Sequence, residues 1–175
     1  MKIRLEQPVD FDAIDALVRA AFGKQMEADL VRAIRDDACY RPAMSFVAVE
    51  GDDIVGHVMV DGCWIRSNDQ DRPIVMLSPL AVAPDHQRRG IGTALIEAAT
   101  SVADAAHEPL IVLEGSPTYY GARGFAYAGD HGLTLPLADW APPTAAQVRL
   151  LTAYDPNDPT LRGDVVYPEP FTGLG

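Results

Sequence analysis

Hydrophobic positions in this chain recur at spacings near two and near 3.6 residues, and their succession predicts the elements of a mixed domain. Lys2 to Leu5 alternates and reads as an edge strand. Asp10 to Phe22 reads as a helix, with Phe11, Ile14, Leu17, Val18 and Ala21 on one face, and Gly23 breaks it. A second helical segment carries Met26, Leu30, Val31 and Ile34, and Arg41-Pro42 closes the pair. Ser45 to Glu50 and Ile54 to Val60 read as strands joined by a Gly51-Asp52-Asp53 hairpin, followed by a polar stretch, Asp61 to Arg72, with Asn68 and Asp69 at a turn tip. Ile74 to Val82 is the most apolar strand, so it is expected at the centre of the sheet with both faces covered. A long helix to about Ala106 follows, with Leu95, Ala99, Val102 and Ala106 on one face, and then a buried strand, Leu110 to Leu113. The tail holds two further strands, Val148 to Ala153 and Asp164 to Tyr167, around a Pro- and Asp-rich loop from Asp155 to Gly163. This order specifies a mixed α/β or α+β domain.

Composition narrows the class. Of 175 residues, 48% are hydrophobic and 22% charged, enough apolar material for one ordinary domain, residues 1–175, without disulfide or metal staples. No apolar run approaches the roughly 20 residues that cross a bilayer. Met1 to Asp12 lacks the apolar stretch and cleavage site of a secretory signal. Cys39 and Cys63 stand in unrelated contexts and read as buried reduced thiols of a cytoplasmic protein. The net charge of −11, from 14 basic and 25 acidic residues, argues against nucleic acid or an anionic membrane as partner; it can draw cationic ligands, with a soluble acidic cytosolic protein as the plain alternative.

The chemistry concentrates where the apolar strand turns into the long helix, at Gln87-Arg88-Arg89-Gly90-Ile91-Gly92. Exposed amides at a helix N-terminus, with the helix dipole, form an anion site, and glycines let a phosphate approach the backbone. Two arginines there cost on the order of 0.3–1 kcal/mol each against the dipole, which a bound anion would relieve. A glycine turn with solvated arginines is the plain alternative. The P-loop pattern, the third glycine of a dinucleotide fingerprint, a G-x-S-x-G elbow and an HExxH zinc pair are all missing. Pro79 cannot donate to a ladder, so it implies a bulge or break in pairing that frees backbone groups for a ligand, or else a strand end at Ser78.

Leu80-Ala81-Val82-Ala83-Pro84-Asp85-His86-Gln87-Arg88-Arg89-Gly90-Ile91-Gly92-Thr93-Ala94-Leu95 resembles the acetyl-CoA binding segment of the GCN5-related N-acetyltransferases (GNAT), with Gln87, Gly90 and Gly92 meeting its [QR]-x-x-G-x-[GA] core. Tyr119-Tyr120-Gly121-Ala122-Arg123-Gly124-Phe125 resembles that family's Y-x-x-x-G-F element, and the element order matches, with similarity closest to the bacterial YhbS-like branch. The resemblance implies a mixed, mostly antiparallel sheet splayed at its fourth strand and flanked by helices. It implies acetyl-CoA as co-substrate, no metal, and a small-molecule or peptide amine as acceptor. Amides from Arg88, Arg89, Gly90, Ile91, Gly92 and Thr93 would hold the pyrophosphate, and backbone at Leu80, Ala81 and Val82 would pair with pantetheine. The thioester would lie between Ile74–Val82 and Leu110–Leu113, with the Leu80 N–H facing the oxyanion.

By position Tyr120 matches the family tyrosine that protonates the CoA thiolate, with an aromatic filling space beside the cofactor as the alternative. Tyr119 is expected in packing or substrate contact. Arg123 stands where the family commonly has an aromatic residue. No carboxylate lies at Met76-Leu77-Ser78, where some members carry a base, so Glu114 and Glu27 are the candidates, each able instead to hold a cationic acceptor. His57 is expected to be a core histidine and Ser116 the cap of a short helix. A homodimer fits this architecture. A second function class is a non-catalytic acyl-CoA binding or sensing module. The acceptor-determining segments are expected at Gly23–Asp37, Cys63–Pro73 and Asp155–Gly163.

Overall fold

A computed structural model of the chain describes residues 1–172. The chain forms two compact units: Met1–Asp61 with Leu77–Ala103, and Gly62–Met76 with the chain from Asp104 onward. In the first, β1 (Lys2–Leu5) pairs antiparallel with β2 (Ser45–Glu50), which pairs antiparallel with β3 (Asp53–Ser67) through a bulge at Ala48/Val49. The end of β4 (Gln70–Val82) is tied to β3 where the Ala83 N–H donates to the Val55 carbonyl, 2.9 Å. Helices α1 (Phe11–Phe22) and α2 (Met26–Arg35) pack on each other, separated by Gly23 at φ 72, the left-handed conformation that ends α1. They bury Ile14, Leu17 and Val18, and Ala28, Leu30, Val31 and Ile34.

Helix α3 (Ile91–Ala105) buries Ile91, Leu95, Ile96, Ala99 and Ala103. Its seat on β3 is set by Gly56, where a Cβ would lie 2.8 Å from Leu95 Cδ1 and 2.9 Å from Ile91 Cγ2. Glycine in the middle of a strand weakens it, and here the close approach of a helix gives the reason. Truncating the fully buried Leu95 to alanine would cost about 2–5 kcal/mol.

In the second unit, β4 runs parallel to β5 (Leu110–Glu114), with Val75 opposite Ile111 and Met76 opposite Val112. That two-pair ladder is short beside the antiparallel one of β5 with β8 (Ala146–Leu150), which runs from Leu110↔Leu150 to Glu114↔Ala146. β8 also pairs with the two-residue β6 (Ala126–Tyr127). On the other branch, β7 (Leu133–Thr134) pairs parallel with β9 (Gly163–Val166), which pairs antiparallel with the Trp64–Arg66 part of β3. The core joins Cys63, Ile65, Ile74, Met76, Leu110, Val112, Val148 and Val165. A short helix, α4 (Pro117–Gly121), follows β5. The pairings are mostly antiparallel with helices flanking them, as the resemblance implied, and β4 stands between β3 and β5 as its apolar run required.

Three boundaries differ from expectation. Asp61–Arg72 is not a polar excursion: β3 continues to Ser67 and β4 begins at Gln70, joined at Asn68 (φ 50) and Asp69 (φ 62). Cys63 and Ile65 alternate with Trp64 and Arg66 there, a period-two pattern masked by its polar members. The segment Cys63–Pro73 is therefore a hairpin and not a loop. β8 begins at Ala146 and ends at Leu150, earlier than the expected strand, and Ala106 lies outside α3 and exposed, because the buried face of α3 follows Ile96, Ala99 and Ala103.

One buried polar cluster sits in the first unit. The Glu6 carboxylate, its side chain 1% exposed, accepts from Arg35 Nη2 at 2.5 Å, from the Tyr40 hydroxyl at 3.0 Å and from the Ser45 hydroxyl. His57 Nε2 lies 3.6 Å from Glu6 Oε2. Burial alone would raise the Glu6 carboxyl, but His57, Arg35 and Ser45 outweigh it and hold it at about 2. Burial lowers His57 and raises Asp61 well above the usual carboxylate range. His57 is a core histidine, as expected, but neither of its ring nitrogens makes the hydrogen bond expected of one.

Candidate active site

The turn into α3 is built from backbone conformation. Arg88 (φ 63) and Gly90 (φ 81) are both left-handed on either side of Arg89, and residues that alternate in handedness turn their amides to one side as an anion nest. The Ala94 N–H donates to the Gly90 carbonyl at 3.0 Å, the first intrahelical bond of α3, so the amides of Ile91, Gly92 and Thr93 precede the ladder. Gln87, Arg88, Arg89 and Gly90 are exposed, Thr93 is half-buried, and Ile91 and Gly92 are buried. Nothing lies within 4 Å of where a Gly90 Cβ would project. Glycine is thus required at 90 by its φ, and the space beside it is open.

The charges around this turn are partly committed. Arg89 Nη2 lies 3.3 Å from Glu50 Oε1, and His86 lies 3.6 Å from Glu50 Oε2 and 2.8 Å from Asp85. Arg88 stands outside that network. Gln87 Nε2 donates to the Val82 carbonyl at 3.3 Å, so this side chain braces the strand end. Ala81 is buried, while Leu80 and Val82 are half-buried.

Helix α4 carries the tyrosines. Ser116 Oγ accepts from the Tyr119 N–H at 3.3 Å and Pro117 follows it, so the expected cap is present. The Tyr120 ring meets Tyr119 edge-on at 4.9 Å and Phe125 at 5.6 Å between centroids. It also lies against Gly115, where a Cβ would come within 2.8 Å of Cδ2. Burial, with Tyr119 adding to it and Arg123 opposing, pushes the Tyr120 phenol up to about 12. It stays protonated at neutral pH and so can supply a proton there.

Glu114 ends β5 exposed, and its Oε2 accepts from the Tyr167 hydroxyl at 2.6 Å. Burial and this carboxylate both raise the Tyr167 phenol, which keeps it a donor. The sequence reading missed Tyr167: it lies just past β9, and its meeting with Glu114 depends on a long-range register that no local pattern encodes. The Glu27 side chain is 18% exposed and 3.6 Å from Lys24 Nζ, and its Oε2 is buried without a hydrogen bond. Arg123, a departure from the family pattern, lays its guanidinium 3.6 Å over the Tyr119 ring, and its Nη1 donates to the Tyr119 carbonyl at 2.6 Å. Cys39 and Cys63 are buried and not joined in a disulfide. Among the described residues no cluster of His, Cys, Asp and Glu could hold a metal ion, and no helix is long and apolar enough to cross a membrane.

Comparison with known proteins identifies relatives of the whole chain. The chain is 35% identical over 118 residues to the uncharacterized N-acetyltransferase YjhQ of Escherichia coli K12, covering 66% of this chain and 65% of that protein. It is 31% identical over 134 residues to YhbS of the same strain, covering 76% and 78%. The crystal structure of Escherichia coli YhbS in complex with CoA matches at a TM-score of 0.88 and 28% identity, over 99% of this chain and 93% of that one. A GNAT acetyltransferase of Brucella melitensis in complex with acetyl-CoA matches at 0.75 and 27% identity, over 97% of both. Residues 2–128 match the acetyltransferase (GNAT) domain, and the chain belongs to that family.

Proposed function

We propose that this protein transfers an acetyl group from acetyl-CoA to a primary amine. The observation that carries the reading is the exposed turn opening α3, with Arg88 and Gly90 left-handed and open space beside Gly90. An anion nest of this kind suits a pyrophosphate, and the similar YhbS and Brucella proteins were crystallised with CoA and acetyl-CoA. Amides from Arg88 to Thr93 hold the pyrophosphate, with Gln87 bracing the strand end. Backbone at Leu80, Ala81 and Val82 receives the pantetheine.

The chemistry is direct attack. The acceptor ammonium gives up a proton, and its nitrogen forms a bond to the thioester carbonyl carbon. The resulting oxyanion is stabilised by the Leu80 N–H. When the C–S bond breaks, CoA leaves as thiolate and Tyr120 supplies its proton, while the second proton shed by the acceptor nitrogen passes through solvent to restore the phenol. Glu114 takes the amine's proton, with Tyr167 fixing one of its oxygens. Glu27 and Tyr119 contact the acceptor. The two buried, reduced thiols fit a cytoplasmic protein.

Mixing the protein with acetyl-CoA and a panel of amines, and following CoA release, tests the reading. Turnover with at least one amine is expected. Thermal stabilisation by acetyl-CoA without turnover would instead support a binding or sensing module, and no stabilisation by CoA would remove both.

A further inference from the structure

Helix α4 has five residues, too few to hold its own shape in water. The direction of Tyr120 must therefore be set from outside the helix. Two of its walls are firm: the backbone at Gly115 and the buried Phe125. The third wall, Tyr119, is half-buried on the same short helix and needs support of its own. Arg123 supplies it. The chain turns back after α4, with the Arg123 N–H donating to the Tyr120 carbonyl at 2.9 Å. That return lays the guanidinium 3.6 Å over the Tyr119 ring, with Nη1 donating to the Tyr119 carbonyl at 2.6 Å. Arg149 on β8 completes the anchorage: its Nη1 donates to the Arg123 carbonyl at 3.1 Å, and its guanidinium packs on Gly124, whose φ is 89.

We propose that Arg123 is the positioning residue for Tyr120, clamping the face of Tyr119 so that the Tyr119 ring fixes the edge of Tyr120. The inference rests on the reading that Tyr120 is the proton donor to the leaving thiolate. A cation over an aromatic face is a directional contact, and a phenol that must meet a leaving sulfur tolerates little displacement. The same cation opposes the effect of burial on the Tyr120 phenol.

The test uses the full chain and four variants: Arg123→Met, Arg123→Lys, Tyr120→Phe and the double variant Arg123→Met/Tyr120→Phe. Arg123→Met is expected to lower kcat about tenfold while the KM for acetyl-CoA stays within about twofold. Arg123→Lys, which keeps a cation over the ring, is expected to recover part of that loss. In the Tyr120→Phe background, Arg123→Met should cost nothing further, because the residue it positions is gone. An equal loss in both backgrounds would overturn the proposal, as would wild-type kcat in Arg123→Met alongside an impaired Tyr120→Phe. If Tyr120→Phe itself runs at the wild-type rate, the proton-donor reading fails. The clamp is then judged on the Tyr120 ring carbon resonance by NMR, which Arg123→Met must shift for the proposal to stand. Should Arg123→Met fail to fold, Arg123→Gln replaces it, keeping a donor toward the Tyr119 carbonyl without the charge.

Discussion

The Tyr167 hydroxyl donates to Glu114 Oε2 at 2.6 Å, joining the end of β5 to a residue more than fifty positions further along the chain. One carboxylate oxygen is thereby held, and under the proposed mechanism the other meets the acceptor. Tyr167→Phe should lower kcat/KM for the amine about three- to tenfold and leave acetyl-CoA affinity unchanged. Steady-state kinetics with the amine as varied substrate, and calorimetry for the cofactor, check both halves.

Glu114→Gln should flatten the acidic limb of the pH–rate profile if this carboxylate takes the amine's proton. An acidic limb identical to that of the parent protein would assign the proton to Glu27 or to water.

Tyr120→Phe should lower kcat by on the order of a hundredfold with a smaller change in acetyl-CoA KM. Because burial pushes this phenol up to about 12, its deprotonation lies beyond the working range. The parent enzyme should show no loss of rate from Tyr120 up to about pH 10. A falling rate near pH 9 that vanishes in Tyr120→Phe would contradict this.

Gly90→Val forces a β-branched residue into φ 81, a conformation costing about 1–2 kcal/mol. It should weaken CoA binding by tenfold or more, on the order of 1.4 kcal/mol, through displacement of the turn amides. Calorimetric affinity equal to the parent's would refute the pyrophosphate assignment. Gly56→Ala acts elsewhere. Its methyl meets Leu95 and Ile91 under 3 Å, so it should destabilise the fold by about 1–3 kcal/mol, read as a lower melting temperature.

Stability should depend on pH through the buried cluster. Glu6, held at about 2 against an ordinary 4.5, contributes stability present above 4.5 and lost as pH falls toward 2. His57 is lowered from 6.5 by burial, so protonating it favours unfolding, and stability declines as pH drops below 6.5. Asp61 runs the other way. It is raised well above 3.8 by burial, with Glu6 adding to the shift and Arg41 opposing it. Its neutral form stabilises the fold at low pH, and that contribution fades as pH rises through the raised value. Both of its oxygens are buried without a hydrogen bond. Asp61→Asn should therefore melt higher than the parent at about pH 8, with the gap closing near pH 4. Thermal melts across that range decide it.

The local parts of this architecture were legible in the sequence. Gln87 to Thr93 encodes its turn through glycine conformation and helix-terminal amides, and Ser116-Pro117 encodes its cap, because each depends on neighbours a few residues away. The β3–β4 hairpin was half legible: Asn68 and Asp69 were read as the tip, but the strand pattern of Cys63 and Ile65 was hidden by Asp61 and Arg66. What no local pattern could reveal was pairing at a distance. Glu114 with Tyr167, Arg149 with Arg123 and Glu6 with Arg35 and Ser45 arise only once strand register is fixed.

Arg72 Nη1 lies 3.0 Å from Asp158 Oδ2 and 2.8 Å from Thr160 Oγ1. The hairpin and the Pro- and Asp-rich segment after β8, two stretches that looked free to vary separately, are fastened at one guanidinium. Divergence among relatives should then be concerted there: where position 72 loses its cation, positions 158 and 160 are released to drift, and the pair should covary as a single trait.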